Sequence, residues 1–146
     1  MGTYRSLLDQ YVERYNAGDL DGVMDCYAED AVQWMPDGIY KGRSAIRERL
    51  VVELAGFSDI AWTVESFLEQ ADLFADEWTF AGTQTGPFVL PDGSELPPTG
   101  KRVVVKGMEL CRVREGMIVI DNLYYDNLAI AAQLGLVPER IPAAAG

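Results

Sequence analysis

The hydrophobic period of this chain changes once, near Ile60, and the change limits the folds open to it. Before that point apolar residues recur at three and four. Tyr4, Leu7, Leu8, Tyr11, Val12 and Tyr15 form one stripe of an amphipathic helix over 4–16, with Thr3 as N-cap and Gly18 as stop. Asp19 caps a second helix with Leu20, Val23, Met24 and Tyr27 on its buried face. The segment AVQWM then alternates as a short strand, PDG at 36–38 turns the chain, and Ser44 opens a third helix whose stripe is Ile46, Leu50, Val51 and Leu54, closed by Gly56. Beyond Ile60 the period is two. Strands are expected over 60–68, 73–85, 102–114 and 117–126, broken by EQAD, PFVLPDGSELPPTG and REG. Long strands with hairpin-like returns make a curved antiparallel sheet, and helices followed by strands is the α+β pattern, with the helices on one sheet face.

The 146 residues fit a single domain, 1–146, with a frayed tail over 143–146. Lys and Arg number 12 against 23 Asp and Glu, for a net charge of −11, so phosphate backbones and anionic lipid are repelled and neither nucleic acid nor membrane is expected as a partner. Cys26 and Cys111 stand far apart without a CxxC motif, which reads as two reduced core thiols. The start, MGTYRSLLDQ, has no signal-peptide apolar core, so the expected compartment is cytoplasmic. There is no histidine. That removes His-based metal sites, Ser-His-Asp and Cys-His nucleophiles and the usual neutral-pH base, leaving carboxylates, Tyr or Lys for proton transfer. No Walker loop, GxGxxG, HExxH or GxSxG is present. The expectation is no cofactor and no metal.

Strand alternation assigns faces. Trp78, Phe80, Gly82 and Gln84 share one side, Met108 and Leu110 one side of the next strand, and Asn122, Tyr124, Asp126 and Leu128 one side of the last. With these sides turned to the helices, Asp126 points into an aromatic space lined by Tyr11, Tyr15, Trp34, Trp62, Trp78, Phe80, Met108, Leu110 and Tyr124. The opposite side of the last strand, Asp121, Leu123 and Tyr125, would then face solvent or another subunit. Two roles stand open for Asp126: N-cap of the helix NLAIAAQLG, or a carboxylate whose burial raises its pKa. Gln84, beside Thr83, Thr85 and Gly86, is either a polar turn residue or a substrate contact.

Several segments together carry a family likeness. YNAGDLDGVMDCYAEDAVQWMPDGIYKGRSAIRERL, WTFAGTQTGPF, LPPTGKRVVVKGMELCRVREGMIV and YYDNLAIAAQLGL resemble, in order and over nearly the whole chain, the SnoaL-like polyketide cyclases of the nuclear transport factor 2-like superfamily. The resemblance implies a cone: a curved, mixed sheet wrapped around three or four helices, with a deep apolar pocket at one end. It also implies a homo-oligomer, dimer or tetramer. In such cyclases an Asp near the end of the last long strand is the general acid and base, and Asp126 in YYD holds that place. A His commonly stands in an HTG motif where this chain has Gln84, Thr85 and Gly86; Gln can orient an oxygen but carries no proton. The implied activity is cofactor-free, aldol-type cyclisation or isomerisation of a hydrophobic polyketide-like substrate, with Gln84, Tyr124 or Tyr15 on the enolate oxygen. An epoxide hydrolase would need an Arg and a second Asp that EWTFAG lacks, leaving Glu65 as a substitute partner, and a non-catalytic ligand-binding cone is the third alternative.

Overall fold

The computed structural model describes residues 3–90 and 92–137; the tail expected over 143–146 lies outside them. Helix α1 spans Thr3–Asn16, so Thr3, expected as its N-cap, lies within the helix. Helix α2 (Leu20–Met24) begins as expected at Asp19, whose Oδ1 accepts the Gly22 N–H at 3.0 Å. Strand β1 (Tyr27–Met35) takes in Tyr27, which the sequence had placed on α2, and a short β2 (Gly38–Lys41) returns beside it. Helix α3 is Arg43–Gly56, followed by β3 (Phe57–Gln70) and β4 (Leu73–Gln84). A two-strand hairpin, β5 (Phe88–Val89) and β6 (Glu95–Leu96), sits in the long break before β7 (Arg102–Arg114), β8 (Met117–Tyr125) and α4 (Asn127–Gln133).

The main sheet has the order β2-β1-β8-β7-β4-β3. All neighbours are antiparallel except β1 and β8, which run parallel, so the sheet is mixed. Turns follow local chemistry: Glu115 and Gly116, with φ of 52° and 77°, close the β7–β8 hairpin in the left-handed conformation that matches strand twist. Asp59, at φ 51°, marks the bulge where the β3–β4 register slips between Ser58 and Ala61. Helices α1 and α3 pack on one face of the sheet, and the core between them holds Leu8, Tyr15, Val23, Ile46, Leu50, Phe74, Trp78 and Cys111. Both cysteines are free and buried.

On β4 the inward set is Phe74, Asp76, Trp78, Phe80, Gly82 and Gln84, as alternation predicts. On β7 and β8 the inward parity is the opposite of the expected one. Val103, Val105, Glu109, Cys111 and Val113 turn in from β7, and Ile118, Asp121 and Leu123 from β8. Met108, Leu110 and Tyr124 are exposed on the outward face, where Tyr124 packs on the equally outward Trp34 with ring centroids 5.2 Å apart. Register explains it. Trp78 is paired with Gly107 and its indole lies over that residue. A Cβ at 107 would overlap Trp78 Cζ2 and stand 2.8 Å from the Tyr124 carbonyl. Gly107→Ala should therefore destabilise the protein by about 1–3 kcal/mol through overpacking, measured by urea unfolding; an unchanged midpoint would show that Trp78 moves aside freely.

Candidate active site

Between α1, α3, α4 and the inner sheet face lies a cavity of about 650 Å³, a size suited to a small polycyclic molecule. Of the nine residues expected to line it, Tyr11, Tyr15, Trp62, Trp78 and Phe80 do so. Tyr15 meets Trp62 edge-on at 5.3 Å, and Trp62 lies 4.2 Å from Trp78. Trp34, Met108, Leu110 and Tyr124 do not, for the register reason above. Tyr125, expected outside, is inside, together with Leu123, Val103, Val105 and Ile130.

The two residues expected to carry the chemistry lie elsewhere. Asp126 is exposed, and its Oδ1 accepts the Ala129 N–H at 3.0 Å as N-cap of α4. It follows the last inward position of β8, Tyr125, and so points away from the cavity. Gln84 is fully buried, but its amide is spent on the polypeptide. Nε2 donates to the carbonyls of Gly86 and Pro97 at 3.0 and 3.1 Å, while Oε1 accepts the Thr99 N–H at 3.0 Å and hydroxyl at 2.6 Å. Gln84 thus ties down the segment that carries the β5–β6 hairpin. Glu65 is exposed and accepts the Thr79 hydroxyl at 2.8 Å.

Among the polar groups that reach the cavity, Tyr15 comes from α1 and Arg49 and Glu53 from α3. Glu53 accepts the Tyr15 hydroxyl on Oε2 at 2.8 Å and Arg49 Nη1 on Oε1 at 3.2 Å. Residues 49 and 53 are one helical turn apart, the spacing that lets two side chains pair on one face. Arg49 Nε also donates to Gln33 Oε1 at 2.8 Å. Burial would by itself lower the guanidinium pKa, but Glu53 and the surrounding phenols raise it, so Arg49 stays a cation. Burial, and then Glu53, push the Tyr15 hydroxyl well up, so it remains a donor. Asp37 and Tyr40 complete the lining near Tyr125.

Behind this wall is a buried acidic array. Asp76, Glu109 and Asp121 are 2%, 3% and 1% exposed. Strand pairing assembles them: Asp76 faces Glu109 across β4–β7, and Cys111 faces Asp121 across β7–β8. Carboxylate oxygens only accept, so a hydrogen bond between two carboxyls needs a shared proton. Glu109 neighbours both Asp76 and Asp121 and interacts electrostatically with each, and neither Asp76 oxygen has a hydrogen-bond donor among the described residues. Asp121 accepts Tyr27 OH at 2.6 Å, Gln33 Nε2 at 3.0 Å and the Cys111 thiol at 3.5 Å. Burial, reinforced by Asp121 and Asp76, holds Glu109 well above the carboxylate range. Desolvation, with a further push from Asp121, raises Asp76 to about 7. Glu109, Cys111 and Asp121 bring three ligand-type atoms within 4.8 Å of one another. Burial, then Asp121, raises the Cys111 thiol well above its usual value, so it stands as a proton donor rather than a thiolate ligand.

Asp76 binds a proton in the folded protein that the unfolded chain releases above its ordinary value of 3.8. Its contribution to stability is therefore full below that pH and is lost as pH rises toward about 7. Urea melts should show stability falling over this window, and Asp76→Asn should flatten the fall by on the order of 1 kcal/mol or more. Parallel pH curves for the two proteins would mean that Asp76 is ionised throughout.

Several solved structures share this fold. AclR from Streptomyces galilaeus, named as a candidate hydroxylase, is 24% identical, with 94% of this chain and 84% of that one covered and a TM-score of 0.81. IdmH from Streptomyces antibioticus, named as a candidate polyketide cyclase, is 28% identical over 90% of this chain and 97% of that one, at a TM-score of 0.75. A protein from Catenulispora acidiphila with a ketosteroid isomerase-like fold, crystallised with trimethylamine, is 19% identical over 93% and 97%, at 0.74. The sequence matches no curated protein. No helix among the described residues is long and apolar enough to cross a membrane. The mixed six-stranded sheet with four helices is the nuclear transport factor 2-like cone, and a family model matches residues 5–134, so the chain belongs to the SnoaL-like polyketide cyclases.

Proposed function

We propose that the protein is a cofactor-free enzyme performing aldol-type cyclisation or isomerisation on a hydrophobic, polyketide-like carbonyl compound, with Glu53 rather than Asp126 as its acid and base. The observation that carries this reading is the Glu53–Arg49 pair in the wall of an aromatic cavity. Glu53 removes a proton from a carbon between two carbonyls; the C–H electron pair becomes the enolate, and the enolate carbon attacks a second carbonyl of the same molecule. The resulting alkoxide takes the proton back from Glu53, so no other reactant is consumed. Arg49 supports both sides of the first step. The negative charge moves from Glu53 to the enolate oxygen beside the same guanidinium, and two of its five N–H groups are engaged by Gln33 and Glu53, with no hydrogen-bond partner for the others among the described residues. Charge stabilisation already in place before reaction is the largest usual source of rate.

Glu53→Gln should retain fold and ligand affinity and lose kcat by roughly 10²-fold or more, the usual share of general acid–base catalysis. Measured on an aromatic 1,3-dicarbonyl substrate beside Asp126→Asn and Asp37→Asn, this variant should be the only one of the three to lose turnover to that degree. A collapse in Asp126→Asn instead would return the acid–base role to the end of β8. Full activity in all three would favour a binding module, the reading that fold alone leaves open.

The same proposal extends to assembly. Trp34, Met108, Leu110 and Tyr124 make a contiguous apolar patch on the outward face of three adjacent strands, the kind of surface that pairs with a second copy. Light scattering should give a dimer or tetramer for the native chain and a monomer for Leu110→Lys; a monomeric native chain would refute the assignment.

A further inference from the structure

We infer that Gln84 determines specificity: its side-chain amide clasps both legs of the β5–β6 hairpin, and the hairpin so held is the wall that receives the hydrocarbon end of the substrate. This rests on the cavity being the substrate site, as in the reading above, and is independent of which group in it is the base. The chain leaves the sheet after Gln84 and rejoins it at Arg102. Each strand of the hairpin between them is two residues long, and so short a hairpin has little stability of its own in water. Its place is set from outside. Among the described residues, the hydrogen bonds that tie 85–99 to the rest of the protein converge on few points. Gln84 Nε2 donates to the Gly86 carbonyl on the outgoing leg at 3.0 Å, and to the Pro97 and Leu96 carbonyls on the returning leg at 3.1 and 3.4 Å. Its Oε1 accepts the Thr99 N–H and hydroxyl. The Gly56 carbonyl at the end of α3 accepts the Thr85 and Gly86 N–H groups at 3.1 Å each, and the Lys101 N–H donates to the Thr99 hydroxyl at 3.2 Å. A primary amide both donates and accepts at one end, which is what holding two legs together requires.

The hairpin turns carbon toward the cavity. Pro87, Phe88, Val89 and Leu90 line it. Phe57 meets Phe80 of β4 at 5.6 Å and Phe88 at 6.1 Å, both edge-on, so the aromatic lining of the sheet runs on into the hairpin. The ionisable lining residues Asp37, Glu48, Arg49 and Glu53 come instead from the β1–β2 turn and from α3. Sheet order puts β1 and β2 at one end and β4 and β3 at the other, so Asp37 and the hairpin stand on opposite flanks of the cavity. A guest with one oxygenated and one hydrocarbon end is thereby given one orientation. The junction with α3 leaves no slack: a Cβ on Gly86 would overlap the Ala55 carbonyl, and one on Gly56 would stand 2.9 Å from the Pro87 carbonyl. Loss of the Gln84 amide strips the partner from three carbonyls and from Thr99, and the two legs part. The apolar wall then recedes while the groups on α1 and α3 keep their places. Gln84 is fully buried and lies outside the lining, so it is a positioning residue that acts through the hairpin.

The test uses N-phenyl-1-naphthylamine, a neutral apolar probe whose fluorescence rises in a dry site, together with cleavage after Glu95 by glutamyl endopeptidase. Gln84→Met, of similar volume but without the amide, should bind the probe roughly tenfold more weakly and be cut after Glu95 roughly tenfold faster. Cleavage after Glu115, in the β7–β8 turn, should not change. On the dicarbonyl substrate KM should rise by about the same factor while kcat falls less than about threefold, the mark of a binding contact. Gln84→Glu keeps the acceptor for Thr99 but turns a second acceptor on the carbonyls, and should loosen the hairpin as much. Thr99→Val, at an exposed position, carries the test if position 84 tolerates neither change: probe affinity should fall about threefold, with the same selective cleavage. Native probe affinity in a folded Gln84→Met protein would overturn the proposal. So would faster cleavage at unchanged affinity, since the hairpin would then be loose without being the wall. Equal acceleration after Glu115 and Glu95 would also overturn it, leaving Gln84 a role in overall stability alone. Glu53→Gln should lose turnover and keep the native probe affinity and cleavage pattern. Turnover surviving in that variant, with the Gln84 effects intact, would remove the assignment of the base and leave the clasp standing. A native protein that takes up no probe would remove both.

Discussion

Which side of β7 and β8 turns inward decides the rest of the molecule. The Trp78–Gly107 pairing sets it, since a large indole on β4 needs a residue without a side chain opposite it. Once that pair is in place, the period of two carries Glu109 and Cys111 into the interior, and β8, paired to β7, brings Asp121 beside them. Three carboxyls then share a space from which water is excluded. Burying three anions together would be prohibitive. The structure eases that cost by raising the proton affinity of Glu109 and Asp76 through burial and by surrounding Asp121 with the donors Tyr27, Gln33 and Cys111.

That solution accounts for what the sequence conceals. The helices, the long strands, the β3–β4, β4–β7 and β7–β8 pairings and the caps at Asp19 and Asp126 all follow from period and from local turn chemistry. The faces of β7 and β8 do not, because both parities of those strands carry apolar residues. Met108, Leu110 and Tyr124 read as core beside a set containing Glu109 and Asp121, and hydrophobicity chooses the wrong one. A signal was present: an inward Asp76 follows from the β4 pattern already accepted through Trp78 and Phe80, and a buried carboxyl needs partners on its neighbouring strand. Glu53 and Arg49 were hidden differently. They lie on the helix that the sequence describes correctly, but on its polar flank, and nothing in a helical stripe tells which flank borders a cavity rather than solvent.

Resemblance and geometry part company at Asp126 and Gln84. The family pattern points to both positions. In this chain one terminates a strand and caps a helix, and the other anchors the backbone from Gly86 to Thr99 with five hydrogen bonds. The cone is retained while the Arg49–Glu53 pair and Tyr15, which face its cavity, belong to α3 and α1, in keeping with the way chemistry varies on a shared scaffold.

Helix α4 forms the last part of the cavity wall, through Asn127, Ile130 and Ala131. β8 stops opposite Gly107, so the first half of β7 has an unpaired edge on that side, and the side-chain amide of Gln133 takes the place of a strand there. It accepts the Val104 N–H at 2.8 Å and donates to the Val104 carbonyl at 2.9 Å. Seven residues, none of them fully buried, are thus held by a cap at the start, a borrowed strand contact at the end and the packing of Ile130 against the core. Such a segment detaches at a far smaller free-energy cost than the sheet it leans on. A substitution at Gln133 removes that contact and leaves α4 held by its cap and by the packing of Ile130 against the core.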